Sequence, residues 1–585
     1  MSWPRPLPPF SPFAKPLVGV LGALSLAACA TIGPVGPPST QTLTAAQAAA
    51  EEERSAYGLF LAGEAALDDD LDPVAADYFV RASRKDEDVL IRQKAFLAAV
   101  ASGDVDRAAL LAPPVGQGAM GVQKLGQLVR AVSALAAGRG ADAAAAMLKD
   151  PGGQAYAGGY QLVKPWAALA GGNAAQAVLL PDTQGQRLNR LAAVLSRSLI
   201  LERLRRFDDA DSGFKTLTAN AQLGIFYVLP YGAFLERRGR TADAVALYKK
   251  YLVRAPADKG LKSAMARVQQ HRPAPPAPSI SEGAGQALVS AAELALVQKS
   301  VDEGDIYLRL GLRLDPQNNE AWLLLGDVSA AAGDYDQARQ YYAKVAAGSE
   351  TYLESRERII TSYQSSGDHD TALALARDLV KLAPGERDAQ LALADALREK
   401  SQFEESAKVL SDVLAADPDS GGWALYFLRG TALSQAGHWP EAEKDLLKAL
   451  ALQPDQPDVL NYLGYSWIEK DERLQQAMGM LQKALNAQPQ SGEIADSVGW
   501  AYYHLGDYRA AVLNLERAVS FNAVSPEIND HLGDAYWRVG RKAEAEYQWR
   551  RVLGLQPSAE LKASAQKKLS EGLDAPVAPA SIAQG

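Results

Sequence analysis

Few residues in this 585-residue chain combine the types and spacing that catalysis or cofactor binding requires. Gly116-Gln117-Gly118-Ala119-Met120-Gly121 has the G-x-G-x-x-G spacing with which a strand-to-helix turn holds a dinucleotide pyrophosphate. That turn needs a β-strand before its first glycine, and Pro113 and Pro114 stand where the strand would end. We therefore interpret the segment as a loop between helices.

The histidines and acids indicate no stronger chemistry. The five histidines are far apart in the sequence, at His271, His369, His438, His504 and His531. Two of them fall in predicted turns, and His504 and His531 fall on different predicted helices, where packing or protein contact is the ordinary role. Asp68-Asp69-Asp70 lacks the interleaved ligands of a calcium loop. Since P-loop, H-E-x-x-H and G-x-S-x-G segments are missing too, the sequence predicts no catalytic residue, no metal, no cofactor and no enzyme.

Composition favours a large folded body. The chain is 48% hydrophobic and 22% charged, and its 60 basic and 69 acidic residues give a net charge of −9. A chain with this balance does not neutralise a phosphate backbone along its length, so nucleic acid is a poor candidate partner. A single cysteine excludes an intrachain disulfide and a cysteine-based metal centre.

That cysteine closes a segment organised like an export signal. An uncharged stretch from Pro16 to Ala28 follows two basic residues and is shorter than the roughly 20 apolar residues that span a bilayer. Leu26-Ala27-Ala28-Cys29 resembles the lipobox of bacterial lipoproteins, whose cysteine is freed by cleavage and then acylated. The resemblance implies a signal peptide at 1–28, a lipid anchor at Cys29 and, from Ala30, the periplasmic face of a Gram-negative outer membrane. The alternative is a cysteine that happens to lie in an apolar anchor helix.

Self-similarity dominates the rest of the sequence. A small or apolar residue recurs at intervals of 34 to 36 residues, at Gly326, Ile360, Ala394, Gly430, Gly464, Gly499 and Gly533. In most periods a second small residue follows twelve positions later, and a bulky one such as Leu515 or Trp549 follows after four more. Proline closes most periods, at Pro384, Pro418, Pro454, Pro489 and Pro557.

This pattern resembles the tetratricopeptide repeat (TPR). The small residues let two antiparallel helices approach, and proline ends the second helix because it lacks the backbone donor. The resemblance implies an all-α solenoid of helix–turn–helix units in a right-handed superhelix, with about 12 to 14 repeats in two segments. Upstream, Gly63 with Phe79 and Gly232 with Tyr248 fit the same spacing. Between about 89 and 190 the pattern is degenerate, and it leaves the register open.

The predicted organisation has six parts after the signal. They are a flexible tether at 29–45, an N-terminal arm of degenerate repeats or helical hairpins at 46–270, a proline-rich linker at 271–284, a C-terminal TPR superhelix at 285–557, and a capping helix at 558–572 followed by a disordered tail at 573–585. Four prolines within six residues, from Pro273 to Pro278, favour an extended segment and interrupt the helices there.

The TPR resemblance also implies which side chains line the concave surface that binds partners. In the last three repeats they are Asp458, Asn461, Tyr465 and Ile468, then Glu493, Asp496, Trp500 and Tyr503, then Glu527, Asp530, Asp534 and Trp537. Acids and aromatics alternate there, and Lys and Arg are missing from these twelve positions. Such a surface suits a protein segment with basic and apolar side chains. The alternative is that Trp500 and Trp537 pack between helices.

The architecture as a whole resembles that of outer-membrane TPR lipoproteins that partner a periplasmic carboxyl-terminal processing protease. The segments GYSWI, DSVGW and HLGDAYW carry this resemblance together with the export signal and Cys29. It implies an adaptor that binds the protease and presents substrates such as cell-wall hydrolases, with no small-molecule substrate of its own. Two alternatives stay open: an assembly factor for a pilus, secretion or polysaccharide-export machine, and the recognition arm of an enzyme.

Overall fold

The computed structural model describes residues 55–573 except 69–70, 87, 115, 182–186, 221–222, 257 and 417–421. The predicted signal peptide, Cys29, the tether and the tail beyond residue 573 lie outside the described residues. Helices account for nearly all of the regular structure, and no described residue forms a β-strand. The predicted all-α fold is confirmed. No described helix is both long and apolar enough to cross a membrane.

The chain divides into two compact units, one ending at Ser366 and the other beginning at Gly367. The helices of the first unit are α1 (Ala56–Asp68), α2 (Asp72–Lys85), α3 (Val89–Ala101), α4 (Val105–Leu111), α5 (Met120–Ala136), α6 (Gly140–Ala146), α7 (Ala157–Ala170), α8 (Ala174–Ala177), α9 (Arg187–Arg203), α10 (Phe207–Thr218), α11 (Val228–Arg237), α12 (Thr241–Leu252), α13 (Lys259–Gln269), α14 (Ile280–Val297), α15 (Val301–Leu314), α16 (Asn319–Ala331), α17 (Tyr335–Tyr342) and α18 (Tyr352–Ser365). A 3₁₀ turn, Gly224–Tyr227, precedes α11.

The second unit continues the pattern of paired helices. It contains α19 (His369–Leu382), α20 (Arg387–Glu399), α21 (Phe403–Ala416), α22 (Gly422–Gln435), α23 (Trp439–Leu452), α24 (Pro457–Glu469), α25 (Leu474–Ala487), α26 (Gly492–His504), α27 (Tyr508–Phe521), α28 (Pro526–Arg538), α29 (Lys542–Gly554) and α30 (Ala559–Glu571). From α20 to α29, consecutive helices form hairpins that stack on the next hairpin, and α30 packs against α28 and α29. The last helix coincides with the predicted capping helix.

Turn chemistry explains why the hairpins form where they do. Gly333 and Gly506 end first helices with φ angles of +86° and +79°, a left-handed conformation that only glycine adopts without strain. The aspartate that follows each glycine then caps the second helix: Asp334 accepts the backbone N–H of Gln337, and Asp507 accepts that of Ala510. The Gly-Asp dipeptide therefore encodes both the end of one helix and the start of the next.

The repeated glycines allow each hairpin to close. A β-carbon at Gly499 would lie 2.6 Å from Leu515, sixteen residues later, and one at Gly63 would lie 2.7 Å from Phe79. Such distances are below any normal carbon contact, so a larger residue at either position would force the two helices apart. The same spacing thus builds hairpins near both ends of the described chain.

Shortened second helices account for the degenerate pattern between 89 and 190. In this region α4 and α6 contain seven residues each and α8 contains only four. A helix of one or two turns has no room for the small and bulky pair that defines a full repeat. The region does form helical hairpins, but their second halves are truncated.

The proline-rich segment lies within the first unit and is held against it. Arg237 donates from Nη1 to the carbonyl of Pro275 (2.7 Å), and Arg203 donates from Nη1 to the carbonyl of Pro278 (2.8 Å). Helix α14 already begins at Ile280, inside the predicted linker, where Ser279 and Glu282 form a capping box. The segment therefore lies along the first unit as a strap.

Beyond the strap, the α14/α15 hairpin packs back onto helices from early in the sequence. Helix α14 contacts α7 and α9, and α15 contacts α5. Arg313 forms a salt bridge with Asp106 (3.0 Å), and Glu303 accepts the backbone N–H of Tyr156 (2.7 Å). One continuous hydrophobic core runs from Phe96 to Leu325. The first unit is thus closed by contacts that a simple stack of neighbours does not make.

Candidate functional site

The eleven polar and aromatic residues predicted to bind partners all lie on three successive first helices of the second unit. Helix α24 carries Asp458, Asn461 and Tyr465; α26 carries Glu493, Asp496, Trp500 and Tyr503; α28 carries Glu527, Asp530, Asp534 and Trp537. Ile468, assigned to the same surface, is fully buried beside Trp467 in the hydrophobic core instead. Its assignment was wrong because an apolar side chain in the last turn of α24 gains more from burial between hairpins.

Three of the acids remain exposed in the first turn of their helices. Glu493 accepts hydrogen bonds from Asn522 Nδ2 (2.9 Å) and Ser491 Oγ (3.1 Å), and Glu527 accepts one from Ser525 Oγ (3.0 Å). Asp458 occupies the same position in α24. Negative charge at a helix N-terminus is favourable, so these acids stabilise their helices and also leave carboxylates available to solvent.

The other three acids form a buried group, which we call the acidic cluster: Asp496, Asp530 and Asp534. Each is less than one-tenth exposed. His531 Nδ1 lies 3.0 Å from both carboxylate oxygens of Asp496. Burial opposes a charged imidazole, but Asp496 and the two neighbouring aspartates outweigh it and raise the pKa of His531.

The capping helix supplies the cation that the repeat positions lack. Lys568 of α30 donates from Nζ to Asp530 Oδ2 (2.7 Å) and to Asp534 Oδ2 (2.8 Å). Trp549 Nε1 donates to the other oxygen of Asp534 (2.9 Å). Asp530 Oδ1 is buried and has no hydrogen-bond donor among the described residues. The cluster therefore retains one carboxylate oxygen that is not satisfied.

The aromatic residues of α26 form a stack beside the acidic cluster. The Trp500 ring lies parallel to His531, with centroids 3.9 Å apart, and parallel to Tyr503 at 4.6 Å. Trp500 Nε1 donates to Glu469, and the hydroxyl of Tyr503 accepts a hydrogen bond from Arg538 Nε (3.0 Å). Both rings are half-buried, so they contribute to packing between repeats and still present an edge to solvent.

Trp537 lies under the capping helix. It packs against the fully buried Trp549, with ring centroids 5.3 Å apart, and belongs to the same apolar group as Leu569 and Leu573. Lys542 Nζ lies 4.6 Å above its ring centroid. With α30 in this position, Trp537 is a packing residue, as are Asp530 and Asp534 beneath Lys568.

On α24, Asn461 and Tyr465 are half-buried. The Oδ1 atom of Asn461 is buried with no donor among the described residues. Burial, with the charges of Glu469 and Asp496, raises the pKa of Tyr465, so this hydroxyl stays protonated and able to donate.

A second group of carboxylates lies in the first unit and was not predicted. It comprises Glu293 on α14, Glu320 and Asp327 on α16, and Glu354 on α18, and Arg358 pairs with the last two at 3.0 and 2.9 Å. Surrounding protein and the neighbouring Glu320 raise the pKa of Glu293 to about 8. The sequence contained a signal for this group, because Glu320 and Glu354 occupy the repeat position of Asp458, and Asp327 occupies that of Tyr465.

Neither unit presents an arrangement typical of catalysis in its described part. Among the described residues, no three His, Cys, Asp or Glu side chains are placed to share a metal ion. The glycine-rich segment connects α4 to α5, and Gln123 closes it by accepting from Gly116 N (2.8 Å) and donating to Gly118 O (2.7 Å). This geometry agrees with its interpretation as an inter-helix loop.

Comparison with known proteins supports the same fold. Sequence families described as tetratricopeptide repeat match residues 307–351, 363–426, 427–492 and 499–560. "TPR repeat-containing protein PA4667" of Pseudomonas aeruginosa is 27% identical over 199 residues, which is 33% of each chain. "Protein O-mannosyl-transferase TMTC1" of Homo sapiens is 22% identical over 206 residues, 34% of this chain and 23% of that protein. The chain thus spans a third or less of these relatives.

Solved structures similar to this chain include the APC/C hetero-tetramer Cut9–Hcn1, with a TM-score of 0.40, 15% identity and coverage of 90% of this chain and 98% of that one. YrrB, described as a TPR protein with an unusual peptide-binding site, has a TM-score of 0.25 and 20% identity over 30% of this chain and 89% of that one. The repeat matches and the helical hairpins in the same region together show that residues 307–560 contain tetratricopeptide repeats.

Proposed function

We propose that this protein is a lipid-anchored adaptor of the periplasm, which binds partner proteins on the first helices of its C-terminal repeats. The observation that carries the proposal is the set of acidic and aromatic residues on the first helices α24, α26 and α28. Glu493 and Glu527 are exposed in the first turns of α26 and α28, and the half-buried rings of Trp500 and Tyr503 lie on later turns of α26. Aromatic anchors beside charges that guide association are typical of protein-binding surfaces.

The anchor and the compartment rest on the N-terminal sequence. Acylation of Cys29 at the end of Leu26-Ala27-Ala28 would hold the chain at the outer membrane, with the repeats in the periplasm. Fractionation of cells tests this directly. The native chain is expected with outer-membrane lipoproteins, and a Cys29→Ser variant is expected to leave that fraction. A variant that stays in the outer membrane without its cysteine would contradict the lipid anchor.

The partner that we propose is a carboxyl-terminal processing protease together with its cell-wall hydrolase substrates. The proposal rests on the resemblance in the export signal and in the repeat segments around Trp467, Trp500 and Trp537. The transferase name of the human relative describes that protein, and the match covers 23% of it. For this chain we propose a binding role without catalysis.

Affinity capture from membranes, with the lipid on Cys29 intact, tests the choice of partner. Recovery of a protease and a hydrolase supports the proposal. Recovery of pilus, secretin or polysaccharide-export subunits alone would favour an assembly factor. The test variant is Trp500→Ala, which removes a half-buried ring from the proposed surface. It should reduce the recovery of partners while helical content is retained.

A further inference from the structure

The capping helix occupies the part of the surface that a partner is expected to use. Lys568 Nζ lies 2.7 and 2.8 Å from the carboxylates of Asp530 and Asp534. Gly572 lies against the Trp537 ring, since a β-carbon there would overlap it, and Leu569 and Leu573 pack on the same apolar group as Trp537. All three covered residues were assigned to partner binding from their positions in the repeat. A segment of this chain is therefore seated where a ligand would sit, with the basic and apolar side chains that such a surface requires.

The capping helix is held by few contacts. Only Ala565 is buried among the thirteen residues of α30, all of which are described, whereas α28 buries eight of its thirteen. A helix with one buried residue gains little from apolar burial. It packs mainly on α29 and less on α28. Lys568 provides its ion pairs to α28, and another protein can reproduce these.

The acidic cluster also has capacity for further positive charge. Its three carboxylates face one lysine and one histidine, and Asp530 Oδ1 is buried without a donor among the described residues. Burial and the neighbouring Asp530 raise the pKa of Asp534 although Lys568 is in contact with it. The buried carboxylates therefore keep an excess of negative charge even with Lys568 bound, and this excess favours a ligand that brings more positive charge.

We propose that α30 is an internal substitute for the partner, and that a helical segment of another protein displaces it. The segment carries a lysine that enters between Asp530 and Asp534, followed by apolar residues one and five positions later that pack on the apolar group around Trp549, as Leu569 and Leu573 do. The inference rests on the proposed function and specifies the chemistry of the partner. It also makes α30 a competitor of the partner, which lowers the apparent affinity of the protein for that partner.

A synthetic peptide with the sequence of residues 558–573 serves as the probe, measured by fluorescence anisotropy against the full-length protein. The native chain is expected to bind it weakly, because α30 occupies the site. A Lys568→Gln chain, whose own helix docks less well, is expected to bind the peptide at least about ten-fold more tightly. The matched control is Lys567→Gln, since Lys567 is exposed on the same helix and forms no ion pair with the described carboxylates. A second peptide, with Gln in place of the lysine at position 568, should not bind.

Equal affinity of the Lys567→Gln and Lys568→Gln chains, or equal binding of the two peptides, would overturn the inference. Hydrogen exchange guards against a folding artefact: added peptide should speed exchange in α30 and slow it in α28, and an unchanged α30 would count against displacement. The adaptor proposal is judged separately by membrane capture. If an Asp530→Asn/Asp534→Asn chain still captures its partners as well as the native chain, the adaptor stands and this inference fails.

Discussion

Tyr307 lies directly against Gly159, although the proline-rich strap separates the two residues in the sequence. Atom Cδ1 of the tyrosine ring would lie 2.9 Å from a β-carbon at position 159, and Cε1 would lie closer still. Tyr307 is fully buried, and its ring meets Tyr156 edge-on at 6.4 Å. The contact fixes α15 on α7 and so closes the first unit.

Gly159→Ala should therefore destabilise the first unit. The added methyl group has no space unless α7 and α15 separate, and overpacking of this kind costs about 1–3 kcal/mol. Urea unfolding followed by circular dichroism measures the change. The matched control is Gly158→Ala, whose β-carbon would meet only the tyrosine hydroxyl, at 4.0 Å. If the two alanine variants unfold at the same urea concentration, the tyrosine contact is not important for stability.

Arg237 links the strap to Glu202. Its guanidinium binds Glu202 with two hydrogen bonds of 2.8 Å and donates a third to Pro275. The Glu202 side chain is only 7% exposed. Arg237→Gln leaves that carboxylate buried without its cation, and we expect a loss of about 3–5 kcal/mol in unfolding free energy.

A double-mutant cycle distinguishes the ion pair from the strap. Adding Glu202→Gln to Arg237→Gln should recover most of the loss, because the uncompensated charge is removed. Arg203→Gln, which releases only the bond to Pro278, should cost less than about 1 kcal/mol. No recovery in the double mutant would show that Arg237 acts chiefly by holding the strap.

Much of the repeat geometry was predictable because it depends on short-range chemistry. The Gly-Asp turns, the glycines at close helix contacts and the prolines near helix ends each act within one hairpin: α23 ends at Leu452 before Pro454, and α25 ends at Ala487 before Pro489. These signals need no knowledge of the rest of the chain. They therefore gave the helical hairpins and the capping helix directly.

Other features depend on contacts between distant parts of the chain. Nothing in the local pattern around Trp166 indicates that α14 packs over it. Gly283 of α14 allows this contact, since a β-carbon there would overlap the indole ring. Likewise, the cation of the acidic cluster comes from Lys568, which belongs to no repeat. Repeat positions predicted which side chains share a surface, and they missed what covers it.

His531 should make the stability of the second unit depend on pH. It faces Asp496 from α26, lies beside Asp530 and Asp534 on α28, and stacks on Trp500. Lys568 of α30 forms ion pairs with the same Asp530 and Asp534. Because its pKa is raised in the folded state, the stabilisation is complete below the ordinary histidine value of about 6.5 and is lost as pH rises through the folded value.

Thermal unfolding of the native chain and of His531→Gln should thus differ more at pH 5.5 than at pH 9. The expected difference is about 1.5–3 kcal/mol, as for a hydrogen bond to a charged group. Asp496→Asn should reduce the pH dependence in the same way. His438→Gln is the control, since its pair with Glu404 is exposed and contributes little. A native chain with the same pH profile as His531→Gln would exclude a charged His531.

Glu293 should make the stability of the first unit fall as pH rises, as His531 does for the second unit. Its pKa is raised to about 8 by the surrounding protein and by Glu320, with which it shares a hydrogen bond when one of the two is protonated. An unfolded glutamate loses its proton near pH 4.3, as is typical of model peptides. Between about pH 4.3 and 8 the folded chain therefore holds a proton that the unfolded chain releases, and stability falls as pH rises.

Glu293→Gln removes this titration, because the amide donates the same hydrogen bond at every pH. The variant should unfold at nearly the native temperature at pH 5 and at a higher temperature at pH 8.5, and Glu320→Gln should behave alike. The control is Glu441→Gln, an exposed acid in the first turn of α23, which should not change with pH in this way. If Glu293→Gln instead lowers the unfolding temperature at pH 8.5, Glu293 is stabilised as a charged carboxylate by a cation, and the shared proton with Glu320 is excluded.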